Sequence, residues 1–167
     1  MTGGPRQPEP ASALLPERVW DYPRPPALVP IAERIAVQHR GATVAESAGA
    51  WRVLETSHPP TFYLPPGDVA ALLHPVGGAS ICEWKGPAQY FDVEIAGQRL
   101  TRAAWCYPRP TPRFAAIAGY LSFYPSMFER CLVGDVVAAA QPSDFYGGWT
   151  TPNLEGPFKG PPGTLHW

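Results

Sequence analysis

Charge, cysteine and long apolar runs are all scarce in this chain, and each scarcity removes a class of function. Charged side chains make up 16% of the 167 residues, and 13 Lys and Arg against 14 Asp and Glu leave a formal charge of −1. The basic residues are scattered rather than striped, so no nucleic-acid partner is expected. No hydrophobic run approaches the ~18 residues that span a bilayer. The N-terminal stretch to Glu17 lacks the apolar core of a secretory signal, and no membrane partner is expected either. The three cysteines, Cys82, Cys106 and Cys131, are odd in number and far apart. No pair or Cys/His cluster has zinc spacing. They read as reduced thiols of a cytoplasmic protein, with no metal and no cofactor expected. Serine-hydrolase elbow, zincin, dinucleotide and P-loop motifs are missing as well.

What is abundant is proline (23), glycine (16) and aromatics (six Trp, seven Tyr, seven Phe). Disordered chains lack such aromatic content. Proline and glycine therefore mark turns between short strands, and the expected fold class is all-β or β-dominant α+β, with one or two short helices. Residues 1–18 read as a flexible tail and 19–167 as a single β-rich domain, its C-terminal extension, residues 140–167, wrapping the core.

Alternation and glycine turns locate the strands. Ile35 and Val37 lead through Gly41 into Thr43–Glu46, a hairpin. Ala50–Thr56 follows, with Trp51, Val53 and Glu55 on one face and Arg52, Leu54 and Thr56 on the other. Asp68 reads as the N-cap of a short helix over Val69–Leu73, ended by a turn at Gly77-Gly78. Strands are expected at Ser80–Lys85, Gln89–Ile95 and Gln98–Tyr107, then a helical turn at Phe114–Ala118. Tyr120–Tyr124, and a hairpin of Cys131–Val133 with Val136–Ala139, complete the core.

Three patterns carry chemistry. In Cys82-Glu83-Trp84-Lys85-Gly86, alternation puts Cys82 and Trp84 on one face as core, with Glu83 and Lys85 on the other as exposed or pocket groups. A thiol near an ammonium can be activated, although a buried inert cysteine is the default. Secondly, Val76-Gly77-Gly78 precedes Asp92-Val93-Glu94 at the spacing of metal-dependent nucleotidyltransferases, whose paired carboxylates hold Mg²⁺. A β-like segment with a Gly-Pro break stands where that superfamily needs a helix, and a solvated strand face explains the carboxylates equally well. Thirdly, Arg52, Glu55, His58, Lys85, Tyr90 and Tyr107, bounded by Trp84, Trp105 and Phe62, would suit a mostly apolar pocket with a few orienting groups.

The order of Val44-Ala45-Glu46-Ser47, Val53-Leu54-Glu55, Cys82-Glu83-Trp84-Lys85-Gly86 with Tyr90, Ala104-Trp105-Cys106-Tyr107-Pro108 and Ile117-Ala118-Gly119-Tyr120 with Phe123-Tyr124 resembles a bacterial family, domain of unknown function 427 (DUF427). The likeness covers residues 34–125. Departures are Glu83, where many relatives carry Pro, and Ser57-His58-Pro59-Pro60, where relatives have a shorter Asn-His-Tyr segment. The resemblance implies a compact β fold like the tent-shaped sheets of the Mss4-like group, and it supplies no activity. Some Mss4-like domains hold structural zinc; without paired cysteines none is carried over.

Together these readings give a small-molecule partner, polar or anionic, in an aromatic-walled pocket. The ligand-binding residues would be Arg52, Glu55, His58, Trp84, Lys85, Tyr90, Trp105 and Tyr107. Arg52 and Lys85 would supply cationic donors, Glu55 and Tyr90 orienting hydrogen bonds, and the tryptophans apolar walls. No nucleophile, base and electrophile assemble together, so catalytic residues are not assigned. The alternatives are the nucleotidyltransferase built on Asp92 and Glu94, and a protein-interaction module using the Trp, Tyr and Pro surface. Tyr146, Trp149 and Lys159 would edge a lid if the C-terminal extension did more than cover a sheet edge.

Overall fold

The computed structural model describes residues 14–143 and 145–167. Strands β1 (Glu17–Arg18) and β2 (Ala27–Pro30) lead into β3 (Ile35–His39) and β4 (Ala42–Ser47). Next come β5 (Trp51–Leu54), β6 (Thr61–Tyr63) and the long run of β7 (Leu72–Cys82), β8 (Gly86–Ile95) and β9 (Gln98–Cys106). The chain continues through β10 (Ser122–Phe123), β11 (Arg130–Val133), β12 (Val136–Ala140), β13 (Trp149–Thr150) and β14 (Leu154–Glu155). The fold is β-dominant, and its helical pieces are short 3₁₀ turns. Those at Pro66–Asp68, Pro112–Ile117 and Pro125–Met127 each start on a proline, whose fixed φ suits that position. None of the described helices is long and apolar enough to cross a membrane.

Three antiparallel sheets carry the structure, in the orders β10-β9-β8-β7, β13-β12-β11-β3-β4 and β2-β5-β6. Local turn chemistry makes the hairpins. Residues Arg40 and Gly41 take φ of 50° and 74° between β3 and β4, and Ala96 and Gly97 take 51° and 75° between β8 and β9. The expected hairpin about Gly134-Asp135 pairs Val133 with Val136. One apolar core gathers Ile35, Val37, Val44, Leu64, Val93, Phe123 and Trp149, all at most 0% exposed. A second, aromatic cluster joins Val53, Tyr63, Tyr90, Trp105, Tyr107 and Phe114. This second cluster backs the site described below.

Two expectations are corrected. Val69–Leu73 is not a helix. Val69 bridges Ala45, the Ala70 and Ala71 amides both donate to the Val44 carbonyl (2.8 and 3.2 Å), and β7 begins at Leu72. Pairing with the edge of β4 overrides the helix preference of Ala and Leu. Gly77-Gly78 is correspondingly no turn but a bulge inside β7, where the register shifts between Val76 and Ala79 and Gly78 takes φ of 96°. A Cβ on Gly78 would lie 2.6 Å from Nη1 of Arg102, so a glycine lets that guanidinium cross the strand.

A matching bulge breaks the expected alternation of β8. Its register shifts between Phe91 and Val93, opposite Arg102 at φ 47°, so that Tyr90 and Val93 are both buried. Of the tail expected over residues 1–18, residues 1–13 lie outside the described residues. Glu17–Arg18, in contrast, pair in parallel with Leu154–Glu155.

Candidate functional site

The aromatic cluster opens into a cavity of about 400 Å³. Seven of the eight expected residues line it: Glu55, His58, Trp84, Lys85, Tyr90, Trp105 and Tyr107. They arrive from three places in the fold. Glu55 and His58 sit at the two ends of a turn after β5, where the His58 amide donates to the Glu55 carbonyl at 3.0 Å and Ser57 takes φ of 73°. Trp84 and Lys85 occupy the three-residue connection between β7 and β8, whose ends Cys82 and Gly86 pair directly. Tyr90 and Trp105 are cross-strand partners on β8 and β9.

Arg52 is the exception and is corrected. Strand alternation sends it to the face opposite Val53 and Glu55. There it makes a two-pronged pair with Glu17, Nη1–Oε1 and Nη2–Oε2 both at 2.8 Å. The Arg52 hydrogen bond holds the Glu17 carboxyl below the usual carboxylate range, burial opposing it, while Tyr22 also donates to Glu17 at 2.6 Å. Alternation also fails for Cys82 and Trp84, expected as core. The strand ends at Cys82, so both are half-buried on the cavity wall.

The cations of the cavity are Arg24, Lys85 and Lys159. Arg24 is matched: its Nη2 lies 3.5 Å from Oε2 of Glu55 and donates to the Thr56 carbonyl at 3.0 Å. Lys85 is 7% exposed and Lys159 8%, and no Asp or Glu side chain among the described residues lies within 4.0 Å of either ammonium. Lys85 Nζ stands 5.5 Å from the Tyr107 ring centre and 5.7 Å from that of Phe114, a cation–π placement. Burial works against the Lys85 cation, but Tyr63, the Cys82 sulfur and Glu55 outweigh it and raise the pKa above the ordinary lysine value. Lys159 Nζ sits 5.4 Å from the Tyr146 ring and donates to the Trp167 carbonyl.

His58 is neutral at ordinary pH. Burial, then the charges of Lys159, Arg24 and Lys85, push its pKa down to about 4. These effects prevail over Glu55, whose Oε2 lies 3.7 Å from Nε2. Gln141 fixes the tautomer. Its Oε1 accepts from the Gly148 amide (3.1 Å) and its Nε2 donates to the Lys159 carbonyl (2.7 Å). The other Nε2 hydrogen is thereby left for Nδ1 of His58 at 3.2 Å. Nδ1 is an acceptor, so the imidazole proton sits on Nε2.

The apolar wall is a chain of ring contacts. Tyr107 meets Tyr63 (6.2 Å between centres), Tyr63 meets Trp105 (6.4 Å), and Trp105 meets Tyr124 (4.5 Å). At its end, Tyr90 and Ser80 share a 2.6 Å hydrogen bond and the Arg102 guanidinium covers the Tyr90 ring at 4.2 Å. Burial raises the Tyr107 and Tyr124 hydroxyls far above the ordinary phenol, so they serve as neutral hydrogen-bonding groups.

Sequence reasoning missed Arg24, Gln141 and Tyr124, for which aromatic and proline richness was the sole signal. It placed Tyr146 and Lys159 at an edge they do occupy. Trp149, grouped with them, is core: fully buried, tilted on Phe62 and donating Nε1–H to the Phe123 carbonyl at 3.0 Å. Phe62, expected at the pocket boundary, is buried with it.

Asp92 and Glu94 lie outside the cavity. Asp92 accepts from the Arg102 amide (2.8 Å) and from Arg99 Nε (2.9 Å), which hold its pKa below the usual range. Glu94 meets His74 at 3.0 Å. No group of three His, Cys, Asp or Glu among the described residues is arranged to hold a metal ion.

Fold and site together define a β-dominant domain with a cation-bearing, aromatic-walled cavity. A family model described as a domain of unknown function (DUF427) matches residues 27–134, and the chain belongs to that family. No curated protein matches the chain. Arg24, Gln141, Tyr146 and Lys159 fall outside the matched region, so the cavity is closed by segments flanking the family core.

Proposed function

We propose that the cavity binds a small organic anion with a flat apolar body. One observation carries this reading: Lys85 keeps a buried ammonium on the cavity wall with no carboxylate partner among the described residues. An anionic ligand head would supply the missing charge, and Lys159 stands ready as a second donor. The rings of Trp105, Tyr107 and Tyr63 offer faces for a planar body, and neutral His58 offers Nε2–H to an acceptor. The cavity volume falls within the range of small-ligand sites.

Thermal-shift screening against aromatic carboxylates, nucleotides, sugar phosphates and amino acids tests the reading. A ligand at about 100 times its dissociation constant adds roughly 2.7 kcal/mol. Lys85→Met is expected to abolish that gain, because the ammonium that would meet the anion is gone. Arg52→Ala should leave binding intact. Silence across the anions, or equal shifts with Lys85→Met, would refute the proposal.

A further inference from the structure

The three thiols occupy unlike surroundings. Cys106 is 5% exposed and Cys131 2%. Burial pushes their pKa values up to about 11 and about 12, away from the thiolate form that reacts. Cys82 differs. It ends β7, is half-buried, and lines the same cavity as Lys85. An accessible thiol in an electropositive cavity is the usual setting of a reactive cysteine.

The cysteine alone would not define a site. The independent sign is Lys85, a buried cation on the wall of the same cavity with no Asp or Glu side chain among the described residues to meet it. Any molecule drawn in by that charge arrives beside the sulfur.

We propose that Cys82 is a thiolation site for small anionic disulfides held by Lys85; this rests on the anion-binding reading above. The Cys82 thiol gives its proton to solvent, and the thiolate attacks one sulfur of the incoming disulfide. A bond forms between Cys82 and that sulfur as the original S–S bond breaks. The other half leaves as a thiolate and takes up a proton. Cys82 is oxidised, the departing half is reduced, and the disulfide itself is the oxidant.

The test compares three reagents on the intact protein: dianionic dithiobis(nitrobenzoate), neutral dithiodipyridine and cationic cystamine. One thiol per chain should react in the fast phase, map to Cys82 by peptide mass, and vanish in Cys82→Ser. With each rate divided by that of the same reagent on a free model thiol, so that leaving-group acidity cancels, the dianion should outpace cystamine roughly tenfold, since a local positive field concentrates anions. Lys85→Gln should erase that preference while the neutral reagent keeps its rate, and Lys85→Arg should restore it. If Lys85→Gln does not fold, added salt should shrink the preference in the unaltered protein.

Fast labelling at Cys106 or Cys131, or a Cys82 that ignores reagent charge, would overturn the thiolation site. A charge-blind Cys82 in a protein still stabilised by sulfur-free anions sinks this proposal alone. A charge-blind Cys82 with no anion stabilisation sinks both.

Discussion

At the scale of single residues, the cavity holds two basic side chains in opposite protonation states, and their neighbours explain the difference. Lys85 stays charged because the polar groups around it outweigh its burial. His58 stays neutral because burial and three nearby cations act in the same direction, and Gln141 donates to the nitrogen that would otherwise take the proton. A stability signature follows. Since the folded pKa of about 4 lies below the ordinary value of 6.5, the unfolded chain binds a proton that the folded chain refuses. The contribution of His58 is therefore full above about pH 6.5 and is lost as pH falls toward about 4, by up to about 3 kcal/mol. Denaturant unfolding of the unaltered protein and of His58→Gln, each at pH about 7 and about 4.5, isolates it. The variant should lose less stability on acidification; parallel losses would mean that His58 does not titrate as its surroundings imply.

Among the elements, the stretch from Phe145 to Gly148 before β13 closes one side of the cavity, at Gly147 by backbone approach rather than by side-chain bulk. A Cβ on Gly147 would collide with the Trp105 ring (Cζ3 at 2.7 Å) and press on Tyr124 Cδ1 at 3.2 Å. Gly147→Ala should cost about 1–3 kcal/mol, as overpacking does, and displace Trp105 from its place in the wall. Gly67→Ala, with nothing within 4 Å of the new methyl, is the control and should be near neutral. Equal stability and equal near-ultraviolet dichroism for both variants would contradict this packing. The same elements mark how far sequence reasoning reaches. Hairpins about Gly41, Gly97 and Gly134 are local events, set by turn residues and period-two alternation, and they were legible. Val69–Leu73 was not, because its conformation is decided by the carbonyl of Val44, about twenty-five residues away in the chain. The bulge at Asp92 was equally hidden, since the groups that meet it, Arg102 foremost, lie on the neighbouring strand. In the site, alternation already separated Arg52 from Glu55, and grouping them ignored that separation; bringing Lys85 and Tyr107 to one cavity rested on the expected fold, because period-two alternation cannot place residues of distant strands side by side.

For the molecule as a whole, the cavity is a joint product of the family core and the segments around it. The Lys159 amide donates to the Ser57 carbonyl (2.9 Å), the Trp149 amide to the Pro60 carbonyl (2.8 Å), and Gln141 ties the Lys159 carbonyl to His58. The C-terminal segment thus braces the loop that carries His58, and it contributes Lys159, the second buried lysine of the cavity. Removing residues 157–167 leaves every strand from β1 to β14 in the chain, so the shortened protein should still unfold cooperatively, at a lower temperature. It should also free His58 from the charge of Lys159 and from part of its burial, the two largest influences on its pKa. That pKa, followed by NMR titration of the imidazole protons, should climb from about 4 toward 6.5. A cooperative truncated protein with an unmoved His58 would show that the loop and core alone set the environment of the cavity. A climbing pKa with weakened anion stabilisation would show that the C-terminal segment completes the site.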